Sequence, residues 1–219
     1  MSALHSSWFS RWARGHLLCR VDGVDDRFAL TFDDGPGAHA TARILDLLGQ
    51  TGDRATFFVL GEQVRRRPAL VRRMHDEGHE VAVHGDRHVT PLVLTAGALR
   101  NQVERASASI VEAGAPPPRH YRPPYGVMGP RKAAYLRTLG ITPVLGDVYP
   151  DDANNPGRRH IVRSALRHVR GGSILILHDA SATFPLTRMG TYRAVSEILA
   201  ALHERGLRSV TVSQLRDAA

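Results

Sequence analysis

The 219-residue sequence has one cysteine, Cys19, one lysine, Lys132, and only 6% aromatic residues. A lone thiol excludes an internal disulfide framework and a thiolate cage for a metal. No stretch approaches the ~20 consecutive apolar residues of a membrane-spanning helix. The apolar run of residues 174–177 is closed off by Gly171-Gly172 before it and His178-Asp179 after it, which reads as a buried strand. Across residues 1–20 the apolar positions are interrupted by Arg11, Arg14 and His16, so the apolar core of a secretory signal is missing. A cytoplasmic protein is expected, or an envelope protein if a leader precedes this sequence. Trp8, Phe9 and Trp12, beside Arg11 and Arg14, suit either packing beneath the domain or weak peripheral contact of residues 8–12 with a membrane. The segment is short, which favours packing.

With lysine nearly absent, the net charge of +8 is carried by arginine and reads as a compositional bias. The densest run, Arg65-Arg66-Arg67 with Arg72-Arg73, is interleaved with Val64, Leu70, Val71 and Met74 at helical spacing. That is the solvated face of an amphipathic helix. No aromatic-rich strand or zinc-knuckle pattern accompanies it, so nucleic acid is not an expected partner. The length fits one domain, with residues 1–27 as an N-terminal extension and 28–219 as the functional unit.

Short apolar runs alternate with helical patterns along the chain. Strands are expected at residues 28–32, 55–60, 80–83, 120–122, 142–145, 173–177 and 209–212. Helices are expected from the Thr41 cap to Gly52, then over 62–77, 94–113, 131–139, 158–169 and 192–205. Seven strands alternating with helices predict an α/β fold of parallel βαβ units. Periodicity does not choose between a closed barrel and an open, doubly wound sheet.

Reactive side chains recur just after the strands: Asp33 and Asp34, His84, Arg122, residues 147–152, and His178 with Asp179. In a parallel barrel the C-terminal strand ends form one face, where active sites are built. Asp33 and Asp34 are adjacent and point apart, so they can take different tasks; alone, Asp-Asp-Gly-Pro is also a turn and helix cap. His84 and His88 are four apart, a spacing that lets two imidazoles meet one ion, although isolated pairs of this kind also occur on surfaces. With Asp34 they make a two-His, one-carboxylate set with open positions. Arg122-Pro123-Pro124-Tyr125 combines a guanidinium with a stiff proline corner. Ile174 and Ile176 share a strand face with His178.

Thr31-Phe-Asp-Asp-Gly-Pro36, His84-Gly-Asp-Arg-His88, Arg122-Pro-Pro-Tyr125, residues 147–152 and Leu175-Ile-Leu-His-Asp179 resemble, in order, the five motifs of the polysaccharide deacetylases, the NodB-homology or carbohydrate esterase family 4 domain. The resemblance spans about residues 28–212. It implies a single-domain, distorted (β/α) barrel of about seven parallel strands. It further implies a divalent metal, usually zinc with cobalt and manganese as alternatives, on Asp34, His84 and His88. The implied reaction hydrolyses acetyl groups from amino-sugar polymers or oligomers. Asp33 is the implied general base, oriented by Arg122, and His178 the acid that protonates the leaving amine. The resemblance also implies that the backbone N–H of Tyr125 faces the oxyanion and that its ring lines the sugar groove; with His178 pointing into the site, Ile176 on the same strand face is placed to contact the acetyl methyl.

The chain departs from the family pattern in two motifs. Gly85 stands where a hydroxyl or amide side chain usually braces the metal loop. In the fourth motif Asp152 takes the aspartate position, paired with Arg122 or His178, with Asp147 or Asp151 as substitutes. Ala153 replaces the usual tryptophan, and Tyr149 partly restores the lost wall. Asp179 is expected to cap the loop that follows it. O-ester or formyl hydrolysis, and a non-catalytic glycan-binding relic, are the rival readings. The sequence is silent on oligomeric state.

Overall fold

In the computed structural model, residues 15–182 and 186–219 are described; the segment of residues 8–12 lies outside them. Among them are seven parallel strands: β1 (Arg27–Asp33), β2 (Thr56–Leu60), β3 (Glu80–Gly85), β4 (His120–Tyr121), β5 (Thr142–Pro143), β6 (Ile174–His178) and β7 (Arg208–Val210). Eight helices among the described residues lie between and after them: α1 (Ala40–Thr51), α2 (Gly61–Arg66), α3 (Pro68–Asp76), α4 (Ala96–Glu112), α5 (Pro130–Thr138), α6 (Arg158–His168), α7 (Met189–Glu204) and α8 (Val212–Asp217). None is long and apolar enough to cross a membrane.

The strand order is β5-β4-β3-β2-β1-β6, with β7 paired to residues 27–29 of β1. Isolated bridges stitch the space between β5 and β6: Leu18 to Val144, Arg20 to Ser173, and Val148 to Leu175. The sheet therefore curls into a distorted barrel rather than lying open. Leu17, Cys19, Val21 and Val24 are buried in this closure.

Strand alternation divides the core. Phe28, Leu30, Phe32, Phe57, Val59, Leu175 and Leu177 pack outward against the helices. Ala29, Phe58, Ala82 and Ile174 face inward with Val212 and Leu215 of α8. The strands are buried on both faces, as parallel sheets require, and so read as continuous apolar runs.

Beyond shifts of one or two residues at element ends, the structure differs from the sequence expectation at four places. Residues 62–77 form two helices, because Arg67 precedes Pro68, whose ring disfavours a helical residue before it; Arg67 takes φ −142° and Pro68 starts α3. Thr41 lies inside α1; its Oγ1 accepts from the Gly37 N–H (2.7 Å) and donates to Asp179. The final strand stops at Val210, where Thr211 caps α8 in a reciprocal bond with Gln214. α7 begins at Met189, three residues earlier than the pattern suggests. The arginine-rich run is tied to acceptors on the protein itself, Arg65 to Asp86 and Arg73 to Glu77 and Asp46.

At the N-terminal end of the barrel, Glu80 accepts from Thr56 Oγ1 (2.8 Å), His120 Nδ1 (2.8 Å) and Ser213 Oγ (2.6 Å), tying three strands' ends to α8. Burial alone raises the Glu80 pKa, but the hydrogen bond and charge of His120, with Ser213 and Thr56, outweigh it and hold it at about 2 against an ordinary 4.5. A depressed carboxylate contributes stability that is complete above its unfolded pKa and is lost as pH falls. Glu80→Gln is expected to cost about 2 kcal/mol at neutral pH. It should also flatten the stability loss between pH 4.5 and 2. Denaturant melts over a pH series check this, and an unchanged acid slope would contradict it.

Candidate active site

β1 sets the site. Its inward face carries Thr31 and Asp33, and the register places Asp33 beside Phe58 on β2 and His178 on β6. Asp34 follows at φ 74°, a left-handed conformation that aspartate tolerates, so the chain turns and the two carboxylates part. Nine of the ten residues singled out from the sequence line one cleft of about 340 Å³; the exception, Asp152, is buried behind His178.

Asp34 Oδ1 lies 3.6 Å from His84 Nε2 and 3.4 Å from His88 Nε2, and the three ligand atoms fall within 4.8 Å of one another. Asp34 Oδ1 is buried without a hydrogen bond, while Oδ2 accepts from the Ala182 N–H (3.2 Å). His84 Nδ1 can only donate to the Arg122 carbonyl 2.9 Å away, which leaves its Nε2 lone pair aimed at the carboxylate. Burial, together with His88, Arg122 and His178, lowers the His84 pKa to about 3 against the pull of Asp34. Lone pair facing carboxylate is repulsive unless a cation intervenes. Two nitrogens and one oxygen about 2.0–2.2 Å from an ion would stand about 3.3–3.5 Å apart in tetrahedral geometry. The residues present fit a divalent metal.

Beside this set, Arg122 is completely buried and donates through Nη1 to Asp33 Oδ1 and Thr31 Oγ1, both at 2.7 Å. Its guanidinium lies 4.0 Å over the Phe58 ring, a cation–π contact that the shared inward face of Phe58 and Asp33 makes possible. Asp33 Oδ2 has no hydrogen bond among the described residues and belongs to the cleft.

Across β1, His178 Nδ1 donates to Asp152 Oδ1 (2.9 Å). Of the two partners open to Asp152 from sequence, the structure selects His178; Asp147 instead accepts from the Ile174 N–H, and Asp151 from Asn154. Burial works against the imidazolium, but Asp152 by charge and hydrogen bond, with Asp34 and Asp33, outweighs it and raises the His178 pKa to about 9. Tyr149 stands 6.1 Å from the His178 ring, and Tyr125, 63% exposed, meets His88 at 4.5 Å. Ile176 and Ala153 also line the cleft.

Asp179 is no loop cap. It turns under the site toward Thr41 and fills the space where Gly35 would carry a Cβ. Burial, with Asp34 and Asp33 adding to it, pushes the Asp179 carboxyl up to about 7 against the Thr41 bond.

Sequence reasoning missed Arg188 and Thr191. Buried Arg188 donates to the carbonyls of Ala180 (2.8 Å), Asp152 (3.0 Å) and Ala153 (2.9 Å), and Thr191 Oγ1 donates to Asp152 Oδ2 (2.9 Å). They sit at the start of α7, in a stretch with no motif to draw attention to them; only the folded chain brings them behind Asp152.

A family model for polysaccharide deacetylases matches residues 20–144. A chitooligosaccharide deacetylase of Bradyrhizobium sp. is 39% identical over 194 residues, covering 85% of this chain and 89% of that protein. A peptidoglycan-N-acetylglucosamine deacetylase of Bacillus cereus is 33% identical over 203 residues, covering 92% and 93%. The solved structure described as T48 deacetylase with substrate superposes at a TM-score of 0.80 with 36% identity, over 89% of this chain and 92% of that one.

Because Asp152 holds His178 protonated, Asp152→Asn should bring the His178 titration well below about 9. Thr191→Val, which leaves the Asp152 carboxylate in place, should move it less. Imidazole resonances followed by NMR measure both, and an unshifted His178 in Asp152→Asn would refute the pairing.

Proposed function

Since the chain belongs to the polysaccharide deacetylase family, we propose that it is a metal-dependent hydrolase removing N-acetyl groups from chitin- or peptidoglycan-type amino-sugar glycans. The observation that carries the reading is the gathering of Asp34, His84 and His88 around one point, with a free carboxylate oxygen on one side and a carboxylate-backed imidazole on the other. We assign the catalytic unit to residues 28–219, against which residues 17–24 pack.

Asp34, His84 and His88 would hold the ion; their nitrogen-rich donor set suits zinc first, with cobalt and manganese as alternatives. When bound, such an ion supplies Lewis acidity, lowering the pKa of water and polarising the acetyl carbonyl. Asp33, oriented by Arg122, takes the proton from the attacking water through Oδ2. The Tyr125 N–H, in a turn fixed by φ 63° at that residue, serves the developing oxyanion, a contribution on the order of 3 kcal/mol for one donor. His178 delivers a proton from Nε2 to the leaving amine while Asp152 stabilises the imidazolium. Base and acid come from adjacent strands, Asp33 at the end of β1 and His178 at the end of β6, so proton removal and delivery need not compete for one group. Ile176 seats the acetyl methyl, and the rings of Tyr125 and Tyr149 flank the sugar.

Acetate release across N-acetylglucosamine oligomers, peptidoglycan and O-acetylated xylan, each with zinc, cobalt or manganese, tests substrate and metal together. Release from the N-acetylated glycans is expected; release from xylan alone would replace the amide reading with an ester one. Asp33→Asn is expected to keep stoichiometric metal, measured by emission spectroscopy, and to lose about 100-fold or more in kcat. Wild-type turnover in that variant would overturn the base assignment.

A further inference from the structure

The loop between the two histidines is Gly85-Asp86-Arg87, without the hydroxyl or amide that the family pattern places after the first histidine. Gly85 adopts φ 114°, and a Cβ there would stand 2.8 Å from the Arg87 carbonyl oxygen. This turn therefore requires glycine, and no side chain at position 85 can brace it. The support comes from elsewhere. Gln102, on α4, directs Oε1 at the loop and accepts from the N–H groups of both Asp86 and Arg87, each at 2.9 Å. The Glu62 N–H at the start of α2 donates to the Asp86 carbonyl (3.0 Å). The buried Asp86 carboxylate takes Arg65 Nη1 at 2.7 Å and Arg105 Nε at 3.2 Å. Gln102 and Arg105 are three apart on α4 and so present one face of the helix to the loop.

We infer that Gln102 is a positioning residue for the metal centre, one amide oxygen holding two successive N–H groups so that His84 and His88 stay at ligating separation. It replaces from a neighbouring helix the brace that position 85 cannot supply. The geometry favours Gln102 over Asp86 as the device that acts on the ligands alone. Its bonds go to loop backbone, whereas Asp86 is also knitted into α2 and α4 and its loss would disturb packing. A backbone N–H pair released from its acceptor lets the loop rotate, and His88, whose Nδ1 has no partner among the described residues, would follow it.

This inference rests on the proposed metal site, and zinc affinity separates its failure from that of the site. Zinc dissociation constants from competition with a chromogenic chelator are to be compared for wild type, Gln102→Leu and Gln102→Glu. The leucine variant is expected to bind zinc about 10–100-fold more weakly. The glutamate variant, which keeps an oxygen at the same reach, should stay within a few-fold of wild type. Melting in the presence of chelator reports folding without the ion. Should Gln102→Leu not fold, Gln102→Asn takes its place with the same loss expected, because its oxygen is withdrawn by one methylene. Wild-type affinity in the leucine or asparagine variant, or a loss that glutamate does not rescue, overturns the role of Gln102. No binding by wild type itself overturns the metal site, and this inference with it.

Discussion

Arg122 faces two ways, and the site depends on both. Its guanidinium fixes Asp33 from inside the barrel, while its backbone carbonyl accepts from His84 Nδ1 and so decides which nitrogen of that ring is left for an ion. One residue thus sets the orientation of the free carboxylate and the tautomer of the first histidine. The arrangement is costly. Arg122 is fully buried, Nε and Nη2 find no partner among the described residues, and burial lowers its pKa against the pull of Asp33. A buried pair is weak evidence for stability but strongly destabilising to break, since the surviving charge is stranded. The Phe58 ring beneath the guanidinium offsets part of this. Such a pair is better understood as serving the site than as serving the fold.

The two ends of the barrel divide these duties. At the C-terminal strand ends, polar groups are left incompletely bonded: Asp34 Oδ1, His88 Nδ1 and two nitrogens of Arg122. At the N-terminal end, Glu80 is saturated by Thr56, His120 and Ser213. Unsatisfied atoms also lie just before β2 and β3, on Asp53, Glu77 and His79, so what sets the C-terminal face apart is the convergence of Asp34, His84 and His88 on one point.

How much of this was legible follows from where each residue acts. Strand ends announce themselves because an apolar run terminated by Asp, His or Arg is visible without a structure, so β1, β3 and β6 and the side chains they deliver were all readable. The break at Arg67 was readable too, from Pro68, but the apolar period runs through it and masks it. Thr191 and Arg188 were not readable, since nothing in a helix start says which distant carboxylate it will meet. Gly85 misled in the opposite sense. As a letter it looks like a missing brace; as a conformation at φ 114° it is the only residue the turn accepts. A missing side chain and a required glycine look alike until φ is known.

The split between neighbouring carboxylates is the step that makes the rest possible. Side chains alternate along β1, so Thr31 and Asp33 project into the barrel, where Arg122 waits. Had the strand continued, Asp34 would have pointed outward among the helices with Phe32. The left-handed turn at Asp34 redirects it along the top of the sheet, toward His84 and His88 on the side of β3. The register of β1 with β6 meanwhile places His178 level with Asp33 on the other side. A strand with its two reactive neighbours on opposite flanks thus separates the Asp34, His84 and His88 cluster, Asp33 and His178 by backbone geometry alone. Each is then tuned by its own support: Gln102 behind the histidines, Arg122 behind Asp33, Thr191 and Arg188 behind Asp152. These supports come from different elements, α4, the end of β4 and α7, and Arg122 serves two of the groups, Asp33 through its guanidinium and His84 through its carbonyl.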